Sequence, residues 1–191
     1  MDGYIEHGAG EEGGGSWMRI DDALHEVFNA RARELVLGIE GRVIYETMES
    51  FWPDARHDES LPAPLREYGH IWTDTPKVLV SNTRTSAGYD TRIVGGDDAM
   101  EQLARIREET DGPIGVGGAT LATSLLRHGL LDELMLFTHP VLLGSGRPLF
   151  DELDEPLECD LLEHATFGQG VTLHRYAVRR PADAPDVATD S

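Results

Sequence analysis

Three short segments of this chain carry the residue types that hold an anion with little side-chain charge: Gly41-Arg42, Ser81-Asn82-Thr83 and Gly117-Gly118-Ala119-Thr120. Each follows a short apolar run, and each offers glycine, hydroxyl or guanidinium groups. The run from Pro113 to Leu121 is the most informative. Ile114 to Val116 reads as a strand, two glycines follow at once, and a helix begins behind them. Adjacent glycines let a backbone pass close to a ligand, and the helix aims its N-terminal amides and positive dipole end at the same point. That is phosphate-binding chemistry. A tight strand-to-helix turn also needs glycine for steric reasons alone, so one such turn decides nothing; three of them favour a phosphate or a dinucleotide.

These segments are positioned by alternating elements. Asp21 and Asp22 offer an N-cap to an amphipathic helix over Ala23 to Arg33, with Leu24, Val27 and Phe28 on one face. Leu35 to Ile39 is a strand, and Arg42 to Ser50 is a helix that stops before Pro53. Asp54 to Tyr68, rich in proline and charge, reads as a loop with at most one helical turn. Lys77 to Ser81 and Thr91 to Val94 are strands. Asp97 or Asp98 caps a helix to Glu109, and Ala119 to His128 is a helix closed by Gly129. Glu133 to His139 is a strand, Pro140 to Phe150 a loop. Leu157 to Ala165 and Val171 to Val178 form an antiparallel hairpin. Residues 2 to 16 read as a mobile glycine-rich loop, and Pro181 to Ser191 as a disordered acidic tail. The pattern predicts an α/β sandwich with a mostly parallel central sheet and an antiparallel C-terminal hairpin. In such sheets ligands lie beyond the carboxyl ends of the strands.

Composition narrows the function. The 191 residues, 40% hydrophobic, fit one domain over residues 1–180 plus the tail. No apolar run approaches the roughly 20 residues that span a bilayer, and no secretory signal pattern is present, so a cytoplasmic protein with no membrane partner is expected. The single cysteine, Cys159, fits a reducing compartment. A net charge of -19 argues against nucleic acid. Of 16 basic residues only Lys77 is lysine, which fits either salt adaptation or a codon bias toward arginine. The eight histidines show no metal-ligand spacing, so no metal site is expected.

The ordered set Asp2-Gly3-Tyr4-Ile5, Gly41-Arg42 with Tyr45-Glu46, Lys77 to Ser81, Val116 to Ala119, and His139 to Gly144 running to Gly146-Arg147-Pro148-Leu149-Phe150 resembles the dihydrofolate reductase-like family. Within it, the chain is similar to the reductase (RibD C-terminal) domain of riboflavin biosynthesis. The resemblance covers nearly everything up to Val178. It implies a three-layer sandwich, NADPH as cofactor, hydride transfer to a small heterocyclic substrate, and a homodimer. It places the adenosine side of NADPH at Gly41, Arg42, Ser81, Asn82 and Thr83, and the pyrophosphate at Gly117, Gly118, Ala119 and Thr120. Arg42 offers a planar fork to a ribose phosphate.

On the substrate side, the resemblance implies roles for Trp17 and for an acid five residues later, Asp22, which orients a heterocycle's donor edge and manages a proton. The alternative is that Asp22 is an N-cap without chemistry and that Asp21 takes the role. Gly144, Gly146 and Arg147 are expected at a substrate phosphate, with a salt bridge from Arg147 to Asp151 or Glu152 as the competing reading. The chain departs from the family twice. Ile44 stands where threonine is frequent, and the strand that precedes the Ser-x-Asp-Gly segment is missing ahead of Met1-Asp2-Gly3, which is expected to lie upstream of the assigned start. A non-catalytic nucleotide-binding module is the alternative to an enzyme. No deaminase signature is present.

Overall fold

The computed structural model describes residues 1–6 and 15–180; the middle of the predicted glycine-rich loop and the acidic tail lie outside the described residues. In chain order the elements are β1 (Tyr4–Glu6), α1 (Asp22–Arg33), β2 (Leu37–Gly41), α2 (Arg42–Glu49), α3 (Trp52–Ala55), α4 (Ala63–Asp74), β3 (Lys77–Val80), β4 (Thr91–Val94), α5 (Ala99–Glu109), β5 (Ile114–Gly117), α6 (Ala119–Arg127), β6 (Glu133–Thr138), β7 (Arg147–Pro148), β8 (Cys159–Thr166) and β9 (Thr172–Val178).

Four strands make a parallel sheet in the order β4-β3-β2-β5. Alternation along its strands fills both faces. Ile39, Val78 and Val94 pack on Leu103 and Ile106 of α5 and on Leu121 and Leu125 of α6. Leu79, the neighbour of Val78, packs instead with Tyr45 of α2 and Trp72 of α4. The sheet therefore separates two helical layers, with α1 stacked outside on α4. The three-layer α/β fold is as expected.

Three details differ from the sequence reading. Residues 63–74 form a full helix, not a loop; Pro62 occupies its N-cap and Pro64 its first turn, where proline removes no needed hydrogen bond. The prolines marked a beginning and read as a break. Tyr4–Glu6 is a strand, not a mobile loop, because it finds a partner far along the chain in β7. Finally, the sheet is not continuous. β6, β9 and β8 form a separate antiparallel sheet of three strands, and no strand joins β5 to β6 among the described residues.

Candidate functional site

Sheet topology creates the site. From β2 the chain leaves toward β3 and β4, returns across the sheet to β5, and leaves again through α6 in the opposite sense. Connections diverge between β2 and β5, which is where a crevice opens at the carboxyl edge of a parallel sheet. Glu40 pairs with Gly117 in register, so the turns Gly41-Arg42 and Gly117-Gly118 stand side by side.

The two turns lie in van der Waals contact. Gly118 adopts φ +107°, which side-chain-bearing residues rarely tolerate, and a methyl placed there would stand 3.7 Å from the Gly41 amide nitrogen. One on Gly41 would stand 3.7 Å from the Gly117 carbonyl oxygen and from Leu121 Cβ. Gly41 and Gly118 are the N-caps of α2 and α6, neither has a side-chain cap bond, and neither helix has an acid in its first turn. Two sets of first-turn amides thus converge with no anionic side chain of their own. Arg42, exposed in the first turn of α2, holds an i,i+4 ion pair to Glu46 at 2.8 Å.

The third predicted segment lies on the same edge and makes local bonds. Ser81 Oγ accepts the amides of Thr83 at 3.2 Å and Arg84 at 3.0 Å. Asn82 Oδ1 accepts the Gly96 amide at 2.7 Å, which ties the end of β3 to the turn after β4. A methyl on Gly95 would collide with the Ser81 carbonyl oxygen at 2.3 Å. These acceptors shape the loop; the Ser81 and Thr83 hydroxyls share a bond at 3.4 Å, which leaves one of their hydrogens and the Asn82 amide group as donors. Arg84, which the sequence reading passed over, forks onto Glu49 at 3.1 Å and lies over the Tyr45 ring.

At the start of α1, Asp21 is the cap: its Oδ1 accepts the Leu24 amide at 2.9 Å. Asp22 is the first helical residue and is exposed, and its side chain makes no hydrogen bond or ion pair to the described residues. Trp17 meets the His139 ring edge-on at a centroid distance of 5.5 Å. The Arg19 amide donates to His139 Nδ1 at 3.0 Å, which requires that nitrogen to be unprotonated. His139 is buried, and burial, with the Met1 amino group as a lesser cause, lowers its pKa below the ordinary imidazole value. Histidine therefore organises the tryptophan-bearing segment, a tertiary role that its sequence neighbours do not signal.

The loop after β6 runs along the N-terminus. The Met1 amino group donates to the Val141 carbonyl at 2.8 Å, the Gly144 amide to Asp2 Oδ2 at 2.7 Å, and the Leu149 amide to the Gly3 carbonyl at 2.8 Å. The Gly144 bond is the main reason the Asp2 carboxyl lies below its ordinary pKa. Gly144 and Gly146 both have positive φ. Arg147 pairs with Asp151 at 3.7 Å, as the competing reading held, and also donates to the Thr120 hydroxyl. That bond sets Arg147 against the first turn of α6, beside the glycine pair.

Behind the crevice is a buried polar group that sequence alone did not single out. Glu40 Oε1 accepts from Trp72 Nε1 at 2.9 Å, and its other oxygen is buried without a partner among the described residues. Burial raises the Glu40 pKa. Lys77 is 3% exposed, donates to the carbonyls of Trp72 and Thr75, and has its pKa lowered by burial. Burial pushes Tyr68 up to about 12. The signal for Glu40 was weak: a lone acid immediately before the glycine turn.

A parallel sheet with a glycine-lined crevice at its switch point, beside a separate three-stranded antiparallel sheet, defines an α/β protein with a ligand-binding type of crevice. The chain belongs to the RibD C-terminal domain family, whose profile matches residues 1–173. It is 25% identical to YyaP of Bacillus subtilis strain 168, itself uncharacterised, over 172 residues, covering 90% of this chain and 86% of that protein. Its fold matches that of a putative riboflavin biosynthesis protein from Shewanella sp. PV-4 with a TM-score of 0.71, at 23% identity and 94% coverage of both chains. It also matches dihydrofolate reductase from Enterococcus faecalis, solved with NADP(H), with a TM-score of 0.50, 11% identity, 81% coverage of this chain and 82% of that one. Among the described residues no helix is long and apolar enough to cross a membrane, and no three His, Cys, Asp or Glu side chains gather as a metal site.

Proposed function

We propose that this protein is an NADPH-dependent reductase that delivers hydride to a C=N or C=O carbon of a small heterocyclic substrate. A ribosylaminouracil phosphate and dihydrofolate are the nearest candidates. The observation that carries the reading is the meeting of two uncapped, glycine-led helix N-termini at the β2/β5 switch point. Gly118 holds a backbone conformation, φ +107°, that side-chain-bearing residues rarely adopt, and the bare glycine surface of both turns suits a pyrophosphate in contact with backbone. The NADP(H) bound by the enterococcal reductase supports the choice of cofactor.

Gly41, Gly117, Gly118, Ala119 and Thr120 present amides and a hydroxyl to the pyrophosphate. Ser81, Asn82 and Thr83 supply donors toward the adenosine end, and Arg42 turns from Glu46 to a 2′-phosphate. Arg147, held on Thr120, adds positive charge beside the pyrophosphate while Gly144 and Gly146 shape the loop toward the substrate. NADPH supplies the hydride. Trp17 walls the substrate side, and the Asp22 carboxylate accepts the donor edge of the heterocycle and holds the proton that completes the reduction. Asp21 serves as the helix cap, with its Oδ1 engaged by the Leu24 amide.

Titration of the full chain with NADPH, followed by nicotinamide fluorescence, tests the cofactor assignment; absence of binding at micromolar cofactor rejects it. Loss of NADPH absorbance with ribosylaminouracil phosphate or dihydrofolate then tests the enzyme. Tight NADPH binding without turnover of either selects the nucleotide-binding module instead.

A further inference from the structure

Glu40 stands in β2 immediately before Gly41, and its side chain lies on the sheet face that carries Leu79 and Trp72. Only half of its carboxyl group is satisfied. Oε1 accepts the Trp72 indole N–H at 2.9 Å, whereas Oε2 is buried with no donor among the described residues. The groups that face it offer little to balance a charge. From β3 comes Lys77, whose ammonium is committed to the Trp72 and Thr75 carbonyls and acts on Glu40 only through space. From α4 comes Tyr68, a phenol kept neutral by burial, with a pKa of about 12. From α2 comes Tyr45, whose hydroxyl is turned to the Gly88 carbonyl at 3.1 Å, and β5 brings Gly117. Helix α1 lies beyond α4 and sends His25 as far as the Tyr68 ring, with centroids 6.1 Å apart. A buried carboxylate with one hydrogen bond and no ion-pair contact is costly, and the neutral acid costs far less.

The acid is also mechanically joined to the crevice. Glu40 pairs in register with Gly117, and a methyl placed on Gly117 would stand 3.4 Å from Glu40 Cγ and from Ile44 Cγ2. Its stem therefore precedes one glycine turn in the chain and lies beside the other. Gly38, two residues back on the same face of β2, leaves room for Lys77: a methyl there would stand 3.7 Å from Lys77 Cγ. An ionised Glu40 gains by moving toward water or toward Lys77, and either move pulls on the residue that leads into Gly41.

We propose that Glu40 is a positioning residue of the crevice that works as a neutral carboxylic acid: its proton, kept by the buried seat beside Trp72, holds the Gly41 and Gly117 turns in place, and loss of that proton loosens them. Burial raises the folded pKa above the unfolded one, so the contribution of Glu40 to stability is complete below the ordinary glutamate value and is lost as pH rises through the folded pKa. That is the opposite sense to His139. The effect on the turns stands by itself; the effect on cofactor affinity rests on the reading of the crevice as an NADPH seat.

The test is an NMR titration of the full chain from about pH 4 to about 9, with the glutamate carboxyl carbons labelled with ¹³C and the nitrogens with ¹⁵N. Glu40 Cδ is expected to titrate above the ordinary glutamate value, and the Gly41 and Gly117 amides and the Trp72 indole N–H are expected to shift with the same midpoint. Glu40→Gln keeps an acceptor for Trp72 and cannot ionise, so these pH-dependent shifts vanish in it. Relative to Glu40→Gln, NADPH affinity of the parent chain should fall by about tenfold above the midpoint, the factor that one pKa unit of coupling gives. A Glu40 that titrates at the ordinary value overturns the proposal. So do glycine-turn amides that stay still while Glu40 titrates, and shifts that persist in Glu40→Gln. Equal NADPH pH profiles in the two proteins also overturn it and leave the cofactor reading intact. If NADPH binds neither protein at any pH, the cofactor reading fails instead, and the amide titration alone decides. Should Glu40→Gln not fold, Glu40→Met, neutral and of similar size, takes its place as the control.

Discussion

The two halves of the candidate site are built by opposite means. At the β2/β5 switch point, backbone does the work: glycines, uncapped helix ends and parallel register bring together residues from three loops. Around the segment before α1, long-range polar contacts do it, linking residues more than a hundred positions apart: the Arg19 amide to the His139 ring, the Gly144 amide to the Asp2 carboxylate, the Met1 amino group to the Val141 carbonyl. The first half is rigid because its geometry is that of the sheet. The second depends on protonation state and on a few polar contacts. The same contrast separates the helix ends: α1 is capped by Asp21, whereas α2 and α6 have no side-chain cap bond.

The strongest challenge to that contrast is steric. Gly118→Val puts a branched side chain at φ +107° against Gly41 and Ile44. NADPH affinity is expected to fall by at least about 100-fold, with backbone strain of about 1–3 kcal/mol also lowering Tm. Fluorescence titration and thermal unfolding measure the two effects; undiminished affinity would remove the glycine pair from the cofactor site.

On the other half, Asp22→Asn keeps shape and removes the charge. Turnover is expected to drop by about 100-fold or more, with NADPH affinity unchanged. Stopped-flow hydride transfer beside equilibrium titration separates the two, and a matching loss of binding would end the proposed division of labour.

Arg42→Ala addresses a smaller effect within the first half. Its pair with Glu46 is exposed, so its loss changes stability by only about 0.3–0.5 kcal/mol. NADPH affinity should weaken by about tenfold, as loss of one charge-assisted pair does, while NADH affinity stays level. An equal change for both cofactors would show that Arg42 does not read the 2′-phosphate.

The gentlest probe is pH. His139 has a folded pKa below its ordinary value, so the unfolded chain binds more protons there, and its contribution to stability is complete above about 6.5 and is lost as pH falls through the folded pKa. Acid should release the Arg19 amide from Nδ1 and loosen the Trp17 segment without disturbing NADPH binding. Tryptophan fluorescence and exchange of the Arg19 amide between pH 7 and 5 report this, and a response that survives His139→Phe would assign it elsewhere.

Legibility in the sequence followed the same division. The turn at Gly117-Gly118 was readable because strand, glycine pair and helix are consecutive, and the register of Glu40 with Gly117 then set it beside Gly41. For Arg147 the sequence offers a substrate phosphate or a salt bridge to Asp151 or Glu152; the pair with Asp151 forms, and the added bond to Thr120, 27 positions away, is one no local pattern signals. Helix α4 is hidden in the sequence because its prolines stand at the start, where they are harmless, and in a linear sequence look like breakers. Asp21 and Asp22 were interchangeable on paper; one backbone hydrogen bond to Leu24 distinguished them.

By itself the sequence determined the local patterns: the alternation of strands and helices, the glycine turns, and the scarcity of lysine that leaves arginines to carry positive charge. These follow from nearest-neighbour sterics and hydrophobic period, which act within a few residues. Tertiary structure alone decided what the patterns meet. It brought two helix ends to one crevice, made His139 an acceptor by burying it, hid Glu40 and Lys77 under Trp72, and left β5 and β6 as the two open edges of one apolar cavity. Burial and long-range pairing change the energy of a group through neighbours that are remote in the chain, and a linear sequence does not name those neighbours.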